Sequence, residues 1–175
     1  HCRRQRQMCI RDRSDKIEAI AVMGGTTVSS ELIKKLPKLK IIANYGVGYD
    51  AVDVKQATLS NVKVPNTPDV LNDEVADTAI ALTLCVYKNI ALANQFLLEK
   101  KWLKSEYPLS KKFSGTKFGI LGMGRIGKTI AKRIESFNCE ICYHSRNQKD
   151  VKYKYFSKLE DLAEYVDTLL SLIHI

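Results

Sequence analysis

The residues that can do chemistry begin with Gly122, Gly124 and Gly127, spaced Gly-x-Gly-x-x-Gly within Lys-Phe-Gly-Ile-Leu-Gly-Met-Gly-Arg-Ile-Gly, Lys117 to Gly127. Ahead of them, Phe118–Gly122 reads as a short buried strand. Behind them, Ile130, Ile134 and Phe137 recur at helical spacing. A strand, a glycine turn and a helix in that order can hold a dinucleotide. Gly122 allows the tight turn, Gly124 lets a pyrophosphate approach the backbone, and Gly127 lets helix and strand pack closely. The opening residues of the helix, Arg125, Ile126 and Gly127, bring N–H groups and the positive end of the helix dipole to the phosphates. Arg125 reads as a phosphate neighbour. An ordinary glycine-rich turn is the plain alternative, but a second strand over Cys139–His144 supplies the context that a dinucleotide fingerprint requires.

Cofactor choice rests on the end of that second strand. An NAD site of this kind places Asp or Glu about twenty residues beyond the glycines, where it accepts from the adenosine ribose hydroxyl. Glu140 stands at the start of the strand, too early to reach. Ser145 and Arg146 occupy the acidic position instead. A hydroxyl and a guanidinium suit a 2′-phosphate, which Arg grips bidentately. NADP is therefore expected in preference to NAD, with NAD the second candidate. The bland reading of Arg146 is an exposed loop residue without a ligand.

Around this unit the chain alternates short apolar strands with helices. Ile17–Met23 is a buried-strand candidate ending at Gly24-Gly25. Ser29 or Ser30 caps a helix over Glu31–Leu36, stopped by Pro37. Leu39–Asn44 is a strand, Tyr45–Asp50 a loop, Val52–Leu59 a helix and Val62–Pro65 a short strand. A long helix is expected from Val70 to Lys100. It is apolar on nearly all sides over Val75–Leu84 and so should be buried between partners. Tyr153–Phe156 is a third strand, Ser157 caps a helix over Leu159–Tyr165, and Asp167-Thr-Leu-Leu starts another strand. The alternation argues for a parallel α/β sheet.

The two ends stand apart from this pattern. Residues 1–13 have no apolar period, and Arg3–Arg13 matches a translation of a widely used transposon-type sequencing adapter; Leu170–Ile175 matches the reverse complement of its last segment. Both are expected to be adapter scars. Residues 1–13 hold five Arg and one Asp, so +4 of the formal +9 lies there and +5 remains. That remainder sits in pairs such as Lys34-Lys35, Lys100-Lys101 and Lys111-Lys112, which read as solvated faces. No nucleic-acid partner is implied. Cys139 and Cys142 are three apart on a strand and point to opposite faces, so neither zinc nor a redox pair is expected. With Cys85 in an apolar helix, reduced thiols in a cytoplasmic protein are the simple reading. Val75–Leu98 is interrupted by Asp77, Lys88 and several amides, so no membrane span is expected.

Three stretches together carry a resemblance. Asn44-Tyr-Gly-Val-Gly-Tyr-Asp-Ala-Val-Asp53, Asn66-Thr-Pro-Asp-Val-Leu-Asn-Asp-Glu-Val-Ala-Asp77 with its apolar helix, and Gly119–Gly127 occur in the order and spacing of the D-isomer-specific 2-hydroxyacid dehydrogenases. The sequence is most similar to the glyoxylate/hydroxypyruvate reductase group. S-adenosylhomocysteine hydrolase has a related cofactor domain, but nothing here resembles its substrate domain. The resemblance implies a partial flavodoxin-like substrate domain over 14–66, then the first half of a Rossmann NAD(P)-binding domain over 67–169.

By the same resemblance, the loop Tyr45–Tyr49 grips the carboxylate of a small 2-oxoacid or 2-hydroxyacid through the N–H groups of Val47 and Gly48. An anion nest of that kind is physically sensible in a glycine-containing loop, although a plain turn is the alternative. Asp50 and Asp53 read as caps of the next helix. Asn66-Thr67-Pro68 corresponds to the crossover between domains, and Val75 to core or to the nicotinamide side. The family's substrate Arg and its His–Glu acid/base pair are expected downstream of this sequence, so no catalytic residue is named and no turnover is expected from these residues alone. His144 is on the wrong strand, and His174 lies in the terminal scar. The resemblance also implies a two-fold dimer through the Val70–Lys100 helix. The reading from another class is a dehydrogenase-like corepressor that senses the cofactor's redox state.

Overall fold

The computed structural model describes residues 13–23 and 25–171; Gly24 and most of both expected scars lie outside that set. The chain divides into two compact units, the first ending at Val70 and the second starting at Leu71. That division falls four residues beyond the expected 66/67 boundary.

In the first unit, β1 (Ala19–Met23) pairs in parallel with β2 (Ile41–Tyr45), Ala19 against Ile41 through Met23 against Tyr45. Helix α1 (Ser30–Lys34) is capped by Ser29, whose Oγ accepts from Leu32 N at 3.4 Å, and it starts one residue earlier and ends two residues earlier than expected. Helix α2 (Val54–Leu59) is capped by Asp53, whose carboxylate accepts from Gln56 N at 2.9 Å. Asp50 plays no capping part in that bond. Val22, Val28, Ile33, Leu36, Leu39, Ile42, Val52, Ala57 and Val62 form one core. The expected strand Val62–Pro65 is reduced to a bridge. Ile42 N and Asn44 N donate to Lys63 O and Pro65 O, and Lys63 N donates to Lys40 O. Pro65 has no N–H to continue the ladder.

The second unit opens with α3 (Asn72–Tyr87) and α4 (Ile90–Leu98), which are bent 57° from each other. This corrects the single helix expected from Val70 to Lys100. Between them Asn89 takes the left-handed conformation, φ 52°, which Asn tolerates better than most residues. Its carbonyl accepts from Tyr107 OH at 3.3 Å. No single helix among the described residues is long and apolar enough to cross a membrane. The expected burial is also absent within this chain. Only Ala76 is buried on α3 and nothing on α4, while Leu82, Val86, Ile90, Leu92, Leu97 and Leu98 are exposed.

A four-stranded parallel sheet follows. Its strands are β3 (Lys117–Leu121), β4 (Glu140–His144), β5 (Lys154–Phe156) and β6 (Thr168–Ser171), in the spatial order β5-β4-β3-β6. That is the 3-2-1-4 order of a doubly wound dinucleotide sheet, with the reversal between β3 and β6. β6 runs through Ser171, two residues past the expected end of the domain at 169, with Leu170 opposite Ile120 and Ser171 opposite Leu121. Helix α5 (Arg125–Ile134) continues into a 3₁₀ turn over Glu135–Phe137, and it buries Gly127, Ile130, Ala131 and Ile134. These pack with Phe113, Phe118, Ile120, Ile141 and Tyr143 in the core of the unit.

Helix α3 packs on α5, where Arg133 bonds both Asp73 and Asp77. Helix α6 (Leu159–Tyr165) starts after Lys158 without a side-chain cap, so Ser157 does not serve as one. Gly119 shows how tightly β3 is covered. A Cβ there would lie 3.0 Å from a Val166 methyl and 3.2 Å from Leu169.

Cys142 is fully buried on β4, and Cys139 lies just before the strand. Burial, with Glu140 nearby, pushes the Cys142 thiol up to about 11. It therefore stays protonated and inert at neutral pH. No group of three or more metal-ligating side chains occurs among the described residues.

Candidate functional site

In the second unit, the turn after β3 is set by backbone geometry. Gly122 has φ 105°, a conformation that a side chain strains, and its N–H donates to His144 O at 2.9 Å across to β4. Met123 is buried beneath the turn. Gly124 caps α5 with extended backbone, φ −87° and ψ −156°, and its carbonyl accepts the first helical bond from Lys128 N at 3.0 Å. A Cβ on Gly124 would meet nothing within 4 Å. The space beside it is open to a group arriving from outside, as a pyrophosphate must.

The first N–H groups of a helix have no carbonyl one turn earlier, and the dipole makes them attractive to anions. The first turn of α5 carries no acidic residue, whereas that of α3 carries Asp73 and Glu74. Gly122, Gly124, Arg125, Ile126 and Gly127 are thus brought together as the sequence led one to expect, at the carboxyl end of β3 and beside the topological reversal. This donor set fits a dinucleotide's phosphates.

Ser145 and Arg146 lie immediately after β4, in a loop that the sequence left without structure. Tyrosines hold that loop at both ends. Tyr155 OH donates to Ser145 O at 3.3 Å. Tyr143 OH donates to Lys149 O at 3.1 Å and accepts from Lys149 N at 2.8 Å. Within the loop, Ser145 Oγ donates to Asn147 O at 2.7 Å. His144 Nδ1 lies 2.9 Å from Phe156 O; a carbonyl only accepts, so Nδ1 carries the proton. Tyr143 is fully buried, and its ring lies 5.3 Å from that of Tyr155. No sequence reasoning assigned a part to these tyrosines. The only available signal was their alternation, Tyr143 and Tyr155 each sitting one residue before a strand end.

In the first unit, the loop after β2 is fixed differently. Asn44 is nearly buried at the end of the strand, and its Nδ2 donates to Gly48 O at 2.9 Å and to Gly46 O at 3.3 Å. Asn66 Nδ2 donates to Val47 O at 2.8 Å, and Thr67 takes Gly46 from both sides: its Oγ1 accepts from Gly46 N at 3.0 Å and its N–H donates to Gly46 O at 3.0 Å. Three successive carbonyls are therefore turned onto side-chain and backbone donors. The N–H groups of Val47 and Gly48 donate to no partner among the described residues. Two adjacent amides are thus left with their hydrogen-bonding capacity free, which is the chemistry an anion needs.

The positive φ falls at Gly46 (155°), not at Gly48, where a Cβ would make only ordinary contact with Asp50 at 3.6 Å. Asn44, Asn66 and Thr67 thus hold the loop in shape through side chains to which the sequence gave no such part.

Comparison with known proteins identifies the family. The family "D-isomer specific 2-hydroxyacid dehydrogenase, catalytic domain" matches residues 3–170. A glyoxylate/hydroxypyruvate reductase of Arabidopsis thaliana is 38% identical over 167 residues, which is 95% of this chain and 53% of the relative. A glyoxylate reductase of Thermococcus litoralis is 41% identical over 158 residues, or 87% of this chain and 46% of the relative. Among solved structures, a 2-hydroxyacid dehydrogenase from Ketogulonicigenium vulgare superimposes with TM-score 0.90 at 35% identity, covering 97% of this chain and 54% of its own. An NADPH-dependent glyoxylate/hydroxypyruvate reductase from Sinorhizobium meliloti, in complex with NADP and malonate, gives 0.80 at 41% identity, covering 90% and 50%. The chain spans about half the length of these relatives. A parallel 3-2-1-4 sheet with its glycine turn and a match over nearly every residue have one common explanation: this chain belongs to the D-isomer-specific 2-hydroxyacid dehydrogenase family.

Proposed function

We propose that the chain serves in the NADPH-dependent reduction of a small 2-oxoacid of the glyoxylate or hydroxypyruvate class to its 2-hydroxyacid. The observation that supports this reading most directly is the pair of unshared amides at Val47 and Gly48 in a chain that also carries the glycine turn. Val47 and Gly48 would hold the substrate carboxylate. Gly122, Gly124 and the N-terminus of α5 would hold the pyrophosphate. Ser145 and Arg146 would read the adenosine 2′-position. A bound nicotinamide supplies the hydride.

The proton for the forming alkoxide needs an acid, and His144, the one histidine among the described residues, is engaged with Phe156 O. On the family resemblance, the acid/base group and the substrate arginine are assigned to sequence beyond these residues, and no turnover is expected from them alone.

The test is titration of the full-length protein with NADPH and NADH, followed by consumption assays with glyoxylate and hydroxypyruvate. NADPH is expected to bind at least about tenfold more tightly, equivalent to 1.4 kcal/mol. Equal or tighter binding of NADH refutes the cofactor assignment. Loss of activity on both oxoacids refutes the substrate assignment.

A homodimer through α3 and α4 belongs to the same reading. Its support is the apolar surface that these helices leave exposed, with Trp102 and Leu103 exposed on the 3₁₀ turn that packs on α4. Contiguous apolar surface of that kind marks an interaction face. Light scattering on the full-length protein should give twice the monomer mass; a monomer at micromolar concentration counts against it.

A further inference from the structure

The loop between β4 and β5 is built before any cofactor arrives, and the buried tyrosine hydroxyl that builds it does not itself face a ligand. Tyr143 is the fully buried penultimate residue of β4. Its ring packs among Ile130, Ile134 and Tyr155 in the core of the second unit. Its hydroxyl reaches the backbone of a residue six positions on, accepting from Lys149 N and donating to Lys149 O. One phenol thus satisfies both polar groups of a single peptide position, which fixes that position in both translation and rotation. At the other end, Tyr155 OH fixes Ser145 O, and Ser145 Oγ closes on Asn147 O. Residues 145–149 are held as a staple with two legs, and Arg146 rides on its crown, exposed to solvent.

We infer that Tyr143 is a positioning residue for selectivity at the adenosine 2′-position. By fastening Lys149 it holds the Ser145–Arg146 backbone in one place, so that the guanidinium is presented to a 2′-phosphate without first being ordered. This rests on the assignment of Ser145 and Arg146 to that position. The physical reason is entropic. An exposed nine-residue loop between strands costs free energy to order when a ligand binds, and a loop already ordered by the core has met that cost on folding. A 2′-hydroxyl ligand makes little use of Arg146, so the benefit falls on the phosphorylated ligand.

Tyr143→Phe tests this in the full-length protein, because it removes the hydroxyl and keeps the ring in its packing. Isothermal titration of 2′-phospho-ADP-ribose and of ADP-ribose reads selectivity without turnover. Losing one buried hydrogen-bonding group of this kind is worth about threefold to tenfold. The dissociation constant for the 2′-phosphorylated ligand is expected to rise by that factor, with ADP-ribose unchanged. Tyr155→Phe, which releases the longer bond at Ser145, should act in the same direction and more weakly.

Equal weakening of both ligands by Tyr143→Phe would mean general damage to the fold and would overturn the inference, as would no change in either. Arg146→Ala separates the two layers of the argument. If the wild-type protein prefers the 2′-phosphorylated ligand, Arg146→Ala abolishes that preference and Tyr143→Phe leaves it intact, then only the role of Tyr143 fails. If the wild-type protein shows no preference, the cofactor assignment fails and the role of Tyr143 fails with it.

Discussion

The two glycine-bearing loops of this chain follow strands of similar length, and both leave backbone N–H groups unpaired, yet they are held by different means. The turn at Gly122 is fixed by its own backbone: a positive φ, one bond to His144 O, and a helix that starts three residues later. The loop at Gly46–Gly48 is fixed from outside, by Asn44, Asn66 and Thr67. A conformation enforced by glycine is a local property of the sequence. A conformation enforced by distant amides exists only when the chain between them has folded, since Asn66 and Val47 are 19 positions apart. The first kind of site should tolerate changes elsewhere and fail on a single local substitution. The second should fail through residues that never touch the ligand.

The sharpest break is Gly122→Val. A β-branched residue at φ 105° carries about 1–3 kcal/mol of backbone strain, and relief of that strain moves the turn away from His144. Thermal unfolding should show the loss of stability, and dinucleotide binding should disappear with it.

Next comes Asn44→Ala, which leaves the Gly48 carbonyl without its donor, Gly46 O keeping the Thr67 N–H, at a cost of about 1–3 kcal/mol. In the full-length protein KM for the 2-oxoacid should rise, while dinucleotide affinity stays as it was. An unchanged KM would mean that the asparagine does not shape the nest.

Gly124→Ala is smaller in stability and sharper in meaning. The position has an allowed φ and open space, so the fold should change by less than about 0.5 kcal/mol. The added methyl stands where the pyrophosphate must approach, so dinucleotide affinity should still fall measurably. A fall in stability with unchanged affinity would contradict the reading of that space.

The smallest effect is one of pH, and it concerns neither loop. The Cys142 thiol, raised to about 11 by burial, keeps its proton in the folded state when an unfolded thiol has already lost it. Its contribution to stability is therefore complete below the ordinary value of 9.0 and is lost progressively as pH rises from there towards 11. Cys142→Ala should flatten the alkaline arm of a stability-against-pH curve. An unchanged arm would assign the loss to other groups, such as Tyr153, which burial and Glu135 raise to about 12.

What the sequence determined by itself was everything written in local pattern. The parallel α/β class, the glycine turn and the helix over it follow from the spacing of Gly122, Gly124 and Gly127 and of Ile130 and Ile134. The caps at Ser29 and Asp53 are also local, since each bonds an N–H three residues ahead. The break at Asn89 escaped because apolar residues continue through it, and periodicity does not register a single left-handed residue. The strand expected at Val62–Pro65 failed for want of an N–H at Pro65, and the capping box at Ser157 looked adequate but made no bond.

The tertiary structure alone decided which polar side chains serve the loops. Asn44, Asn66 and Thr67 were in view as parts of a motif, and Tyr143 and Tyr155 as strand residues. Their partners lie from 2 to 21 positions away. A hydrogen bond depends on distance and angle between two groups, and a sequence fixes those only where the chain between them is short and regular. Elsewhere the fold has to bring the groups together first.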